Sequence, residues 1–377
     1  MLPKLYDEFL TSSQGYGKTY LGTVNYCTKC KATEARNGAY TLELETTVND
    51  DCANLLISQR IIEVKPNPFD PAQFFEIQNT VRKPNDRITC KAKHIKSLLF
   101  GICSEGVSAS EESTLYTKTG TPAELWSILH DDYIATPHPF IFSTDISSHG
   151  TMSLGFNLPE TLGNILGGKE GSFTDTFGGE FHWNNYAISF LRSRGRETGY
   201  QLRYGQNISD VEQTENCETT YTHVLPFGKV NSSGGSKFNI SAAPCAISDT
   251  QLQRTKVYML DCSKFLEQFV LNTGQDGNIE QIRAAMTTYA QSYAAINALG
   301  KLKAGIRVTA RAELDEMAQI RLCDTVKVVL DNFGTTTTAK ITQVTYDCLL
   351  ERWDKIVVGE PKITVADMIL NRRKYAR

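Results

Sequence analysis

The chain has 377 residues, 39 basic against 42 acidic, for a net charge of −3, with 41% apolar and 21% charged side chains. That length is too great for one core and suggests roughly two to four domains, and the apolar content excludes a disordered chain. The near-balance of charge excludes a protein whose main affinity is for phosphate backbones, because that needs a concentrated basic surface.

No apolar run approaches the length of a membrane span. The opening MLPKLYDEFL lacks a basic region followed by a long apolar core, so it does not read as a secretory signal, and assembly in a cytoplasm is expected. The ten cysteines are scattered from Cys27 to Cys348, too sparse for a disulfide scaffold. A cytoplasmic origin favours reduced, mostly buried thiols.

Residues 1 to about 94 read as strands. Phe75, Ile77 and Val81, then Ile88, Cys90 and Ala92, fall near every second position, the period of a half-buried strand. Lys83-Pro84-Asn85-Asp86 between them predicts a hairpin turn. Asn37-Gly38 predicts another, of type I′, because both residues accept positive φ. The first third is therefore expected to be an antiparallel barrel or sandwich. Asn67-Pro68 and Asp70-Pro71 mark a loop where ladder pairing stops.

A short helical run over 95–102 precedes a polar connection over 104–121, read as a domain boundary. Thr121-Pro122-Ala123-Glu124 then carries helix-start signals: a capping hydroxyl, proline at the first helical position and a capping-box glutamate. Asn157-Leu158-Pro159-Glu160 repeats the pattern 37 residues on, with Leu162, Ile165 and Leu166 following and Gly167-Gly168 as the stop. The pair predicts two short helices docked on a common sheet, a candidate internal duplication.

Strands return over 181–204, turning at Asn184-Asn185, with Tyr186, Ile188 and Phe190 inward. Residues 232–236 read as a flexible loop. The longest helix is predicted from Asn278 as cap to Leu299, with Gly300 at its end. Ile279, Ile282, Met286, Tyr289, Tyr293 and Ile296 follow a heptad seam on it. The plain reading is a helix lying on its own domain's sheet. The sharper reading makes Ile279, Ile282, Met286, Tyr289 and Tyr293 a packing face between subunits. Strands follow over 307–312, 322–330, 339–346 and 355–358, with a hairpin beside Gly334 and a basic-ended helix over 364–377.

The stretches EARNGAYTLELE, then QFFEIQNTV and ITCKAKHIKSLL, then GGEFHWNNYAISFLRSRGRETGYQLRYGQNI, LCDTVKV and ITQVTYDCLLERWDKIVVGE resemble the N-terminal hub region of siphophage tail-tip proteins, the prophage tail endopeptidase or tail-associated lysin family. The resemblance runs in order over nearly the whole chain. It implies an α+β, mainly antiparallel β fold of baseplate-hub type, with tail-tube-like β-barrels and a helix-containing middle. The expected domains are a β-barrel over 1–104, α+β domains over 105–215 and 216–304 (the second holding the long helix), and a β-barrel with a terminal helix over 305–377.

For its role, the resemblance implies a structural virion protein, a homotrimeric hub at the distal end of the tail. It would continue the tail tube, close or open the DNA channel at infection, and contact the distal tail protein and other baseplate proteins. DNA would pass without sequence-specific binding. Many members continue into a peptidoglycan-cleaving domain or a fibre, and this chain is expected to carry the hub without the enzymatic part.

Other chemistry is weaker. Gly163-Asn-Ile-Leu-Gly-Gly-Lys169 has the spacing of a phosphate loop, but Glu170 stands where Ser or Thr would hold Mg²⁺, so it reads as a helix end. Cys27-Thr-Lys-Cys30 lacks the further ligands of a zinc site and the βαβ setting of a redox pair, so it reads as coincidence. His130-Asp131-Asp132 with His138 and His149 is the one histidine and carboxylate cluster, read as a helix end and acidic turn. His182 is expected to face solvent, and Trp126, Trp183 and Trp353 to be core or subunit anchors. No GxSxG or activated cysteine is present, and no catalytic, metal or cofactor residue is expected. The alternatives are a tail-tip cell-wall hydrolase whose paired acids are set by the fold, and a receptor- or saccharide-binding module.

Overall fold

The computed structural model describes residues 2–7, 19–106, 117–203, 208–216, 218, 220–231, 237–248, 250, 252–273, 278–297, 299–300, 303–310, 319–330 and 335–359. The predicted loop over 232–236 and helix over 364–377 lie outside the described residues. The chain divides into two compact units, one made of 1–211 and 307–377 and the other of 212–306.

The first unit opens with β1 (Lys4–Tyr6), β2 (Tyr20–Thr23), β3 (Lys29–Ala35), β4 (Tyr40–Thr47), β5 (Ile61–Val64), β6 (Gln73–Arg82) and β7 (Arg87–His94). In β3 and β4 burial alternates strictly, with Cys30, Ala32, Glu34, Leu42, Leu44 and Thr46 inward and Lys29, Lys31, Thr33, Thr41, Glu43 and Glu45 on the other face. Period-two patterning gives each strand one apolar and one polar face, and register then follows. The hairpin at 83–86 forms as predicted, with β6 paired antiparallel to β7.

Val81 is the exception: it is 45% exposed. A bulge between Ile77 and Asn79 inserts one residue, flips the parity of the rest of the strand, and sets Thr80 opposite Cys90 instead. The Asn37-Gly38 turn also departs from expectation. Of the two residues only Asn37 has positive φ, at 50°, and the paired strands resume at Glu34 and Tyr40, leaving a wider loop than type I′.

A middle segment carries β8 (Cys103–Ser104), β9 (Lys118–Gly120), α1 (Pro122–Ile128), β10 (Ile141–Thr144), β11 (Gly150–Met152), β12 (Glu160–Thr161), α2 (Leu162–Leu166), α3 (Phe173–Phe177), β13 (Glu180–Asn184), β14 (Ala187–Leu191) and β15 (Glu197–Arg203). The capping box of α1 is complete: Thr121 Oγ1 accepts from the Glu124 N–H, and Glu124 Oε2 accepts from the Thr121 N–H at 2.8 Å. The second predicted copy is not one. Glu160 and Thr161 pair with Ser104 and Cys103 as a strand, α2 starts at Leu162, three residues after Pro159, and Leu158 is exposed. Glu160 instead accepts from Thr161, Asn164 and Lys169, which overcome the effect of partial burial and pull its carboxyl down to about 2.

The second unit contains β17 (His223–Asn231), which follows β16 (Ile208–Asn216), then β18 (Lys237–Ser241), β19 (Cys245–Ala246), β20 (Val257–Asp261), α4 (Ser263–Thr273) and α5 (Ile279–Ile296). β17 pairs antiparallel with β18 and β19 and parallel with β20. Both helices pack on this small sheet, around Val224, Ile240, Leu260, Leu266, Ile282 and Met286.

The chain then returns to the first unit through β21 (Lys303–Ala310), β22 (Thr325–Leu330), β23 (Thr335–Asp347) and β24 (Arg352–Val358). β23 pairs antiparallel with β3, Gln343 facing Ala35 and Asp347 facing Lys31. The large sheet thus runs β21-β24-β23-β3-β4-β7-β6-β5-β1-β2, joining strands from both ends of the chain. The architecture is mainly antiparallel β with few helices. Among the described residues no pairing closes this path into a barrel.

Candidate functional site

The outward face of β3, β4, β7 and β23 forms a hollow of about 640 Å³ whose lining includes Lys29, Lys31, Thr33, Glu43, Lys91 and Lys93. Each side chain is there because its strand alternates, so the apolar core dictates which residues reach this surface. Lys29 pairs with Glu43 at 2.7 Å and Lys31 with Asp354 at 2.7 Å. Near its end Arg87 pairs with Glu45 at 3.0 Å. Thr33 and Thr345 share a hydroxyl hydrogen bond of 3.0 Å across the β3–β23 seam. Lys91 and Lys93 have no carboxylate within ion-pair distance among the described residues. The surface is therefore half charge-compensated, with Lys29 and Lys31 paired and Lys91 and Lys93 left over, and faintly basic. Such a surface attracts a polyanion weakly and without sequence preference.

Behind it, the β13–β14 hairpin is clasped to the sheet by polar side chains. Asn37 Nδ2 donates to the Gly179 carbonyl at 2.9 Å, and the Phe181 N–H donates to Asn37 Oδ1 at 2.9 Å. Asn185, φ 51°, does the same toward β6, accepting from the Phe74 N–H at 2.9 Å and donating to the Ala72 carbonyl at 3.0 Å. Gln73 Oε1 takes the Asn185 N–H at 2.7 Å and faces His94 Nε2 at 3.1 Å. His94 Nδ1 accepts from the Lys96 N–H, so Nε2 carries the proton; burial, then Lys96, keeps the ring neutral by pulling its pKa well down.

Arg194 donates to both Glu34 oxygens, at 2.5 and 3.3 Å. Burial works against the guanidinium charge, and Glu34 more than offsets it, raising the Arg194 pKa. Lys340 reaches Glu180 at 2.5 Å. Asp70 Oδ1 meets His182 Nε2 at 3.1 Å, while Asn67 donates to Oδ2 at 2.8 Å. Burial alone would raise the Asp70 carboxyl, but these two partners hold it below its usual range. His182, expected in solvent, is thus a half-buried strut, a role that depends on a residue 112 positions away.

The seam of α5 lies within its own unit. Ile282 and Met286 are fully buried, Tyr289 stacks on Phe265 at 4.3 Å, and Tyr293 stacks on Tyr258 at 6.0 Å. Ile279 is the exposed member, and the side chain of Ile296 lies outside the described residues. Trp126 and Phe142 stack at 4.8 Å, Trp183 lies under Lys96 Nζ at 4.8 Å, and Trp353 packs edge-on to Tyr346, so all three tryptophans are core.

His130 and His138 come within 5.0 Å, while His149 lies beside Glu124. Among the described residues no three His, Cys, Asp or Glu side chains are placed to hold a metal, and no helix is long and apolar enough to cross a membrane. Lys169, which the phosphate-loop spacing singled out, is ion-paired to Glu160.

Residues 196–359 match the family described as prophage endopeptidase tail. The fold as a whole is similar to prophage tail protein gp18 from Listeria monocytogenes EGD-e, at 10% identity and TM-score 0.56 over 99% of each chain. It is also similar to the 43 kDa tail protein of prophage MuSo2 from Shewanella oneidensis, at 12% identity and TM-score 0.52, covering 96% of this chain and 99% of that one. A tail protein from Neisseria meningitidis MC58 aligns at 10% identity and TM-score 0.50, over 97% and 99%. No curated protein matches the chain by sequence. Residues 196–359 thus resemble the prophage endopeptidase tail family, and the chain along its length shares the fold of these tail proteins.

Proposed function

We propose that the protein is the trimeric hub at the distal end of a phage tail, sited in the virion and assembled in the host cytoplasm. Three copies form a ring that continues the tail tube, with the Lys29–Thr345 face turned to the central channel. The ring closes the large sheet, left open in one chain, into a barrel-lined annulus, each copy presenting one patch to a different patch of the next. The stretches 105–215 and 216–304 form its arms and 1–104 and 305–377 its barrels, and the distal tail protein and other baseplate proteins are its neighbours. The role is one of shape, with no bond cut.

The observation that carries this reading is the lysine- and threonine-lined hollow on β3, β4, β7 and β23, backed by the hydrogen-bonded clasp of Asn37 and Asn185. Ion-paired lysines and threonines keep their water and offer few free cations, so DNA held there slides at low cost. Light scattering coupled to size exclusion tests the assembly. Three times 42.0 kDa is expected, and a monomer mass at every concentration overturns the ring.

A further inference from the structure

The Cys27-Thr28-Lys29-Cys30 motif has a third member that the sequence places 318 residues away. In the β3–β23 register Asp347 faces Lys31, and the next residue, Cys348, donates its N–H to the Cys30 carbonyl at 2.8 Å. Cys348 therefore stands opposite Cys30 on the neighbouring strand. Both are buried, at 1% and 0% exposure, whereas Cys27 is partly open to solvent. Cys27 Sγ lies 3.1 Å from the Lys29 carbonyl, one residue before Cys30, and Cys348 Sγ lies against the Tyr346 carbonyl at 3.9 Å. Directly opposed residues on antiparallel strands have Cα atoms about 4.5–5.5 Å apart, within the range of roughly 4.4–6.8 Å that a disulfide spans.

We infer that Cys27, Cys30 and Cys348 form a thiol-oxidation site that staples the N-terminal strand β3 to the C-terminal strand β23 once the protein meets a small disulfide oxidant. Cys27 is the accessible thiol. As thiolate it attacks the oxidant, forming a mixed disulfide and releasing one small thiol. Cys30 displaces the second small thiol, giving Cys27–Cys30 and losing its proton to solvent. Cys348 then attacks the Cys30 sulfur, Cys27 leaves as a thiol, and Cys30–Cys348 remains. Two protein thiols lose two electrons in all, and one small disulfide is reduced to two thiols.

The preference for the final link follows from geometry. The Cys27–Cys30 bridge closes a loop of only a few residues, whereas Cys30–Cys348 closes one of over three hundred and restricts the unfolded chain far more. The neighbouring thiols Cys27 and Cys348, then burial, raise the Cys30 thiol, so it stays protonated and inert until Cys27 is activated. The inference stands whether or not the protein is a hub.

The test is to incubate the full chain with oxidised glutathione and map disulfides by mass spectrometry of the non-reduced digest. Exposed Cys103 serves as an internal control. A peptide joining Cys30 to Cys348 is expected, with a rise of several degrees in unfolding temperature that a reductant reverses. Cys27→Ser is expected to slow its formation by about tenfold or more. Cys348→Ala is expected to stop at Cys27–Cys30. Glutathione on Cys103 with Cys27, Cys30 and Cys348 all still reduced overturns the site, and an unchanged rate in Cys27→Ser overturns the route.

Discussion

Asn37 and Asn185 are reciprocal: each is the left-handed residue of a hairpin turn, at φ 50° and 51°, and each lays its amide along the backbone of the other's strand system. Asn37 binds Gly179 and Phe181 around β13, and Asn185 binds Ala72 and Phe74 at β6. A side-chain amide offers one donor and one acceptor, as a peptide unit does, so each turn caps the other's unpaired backbone. The same residue type also tolerates positive φ.

Asn185→Ala is expected to cost about 2–3 kcal/mol, from two unsatisfied backbone groups and the left-handed φ. Asn37→Ala is expected to cost less, about 1–2 kcal/mol, because exposed Asn37 leaves groups that water reaches. Glycine at either site should recover only the φ part. Urea unfolding of the four variants checks this, and equal stability of Asn185→Ala and wild type refutes the clasp.

Glu34→Gln or Arg194→Met alone is expected to destabilise by about 3–5 kcal/mol, since either leaves a buried charge uncompensated. The double variant is expected to lose less than the sum. A double-mutant cycle on thermal unfolding reads the coupling directly.

Acid should loosen the first unit through Asp70. Its folded pKa lies below the unfolded carboxylate value, so its contribution is full above that value and disappears as pH falls through the folded one. Asp70→Asn is expected to be less stable near neutrality and to lose part of the decline in unfolding temperature toward pH 3. A parallel acid decline in both proteins contradicts the assignment.

Much of this was legible from residue order, and the failures have physical causes. Strand alternation in β3, β4 and β7, the capping box at Thr121 and the Asn278 cap are local, and all three formed. Val81 failed because a bulge is invisible to a period count. The copy at Leu158 failed because Glu160 and Thr161 found a strand partner at Cys103 and Ser104, and tertiary pairing overrides a cap signal. His182, Asn37 and Asn185 act through partners more than 100 residues away. The lysine-lined hollow likewise takes Thr345 from β23 only because β23 returns to β3.

In α5, Ile282→Glu or Met286→Glu is expected to unfold the second unit, each placing a carboxylate in a fully buried site. Ile279→Glu is expected to leave folding unchanged. Circular dichroism with limited proteolysis distinguishes the two, and soluble, folded Ile282→Glu would return that seam to an intersubunit role.

Lys91 and Lys93 are expected to give the isolated protein only weak duplex-DNA binding, at about 10⁻⁴–10⁻⁶ M. Replacing both by Gln should lower the slope of log affinity against log salt by about two, with folding intact. An unchanged slope would mean that DNA does not meet this face.

The most direct test of the hub reading is a cryo-electron reconstruction of the assembled protein. A threefold ring is expected, with Lys91, Lys93 and Thr345 on its inner wall. A solitary particle, or a ring carrying those residues on its outer surface, contradicts it.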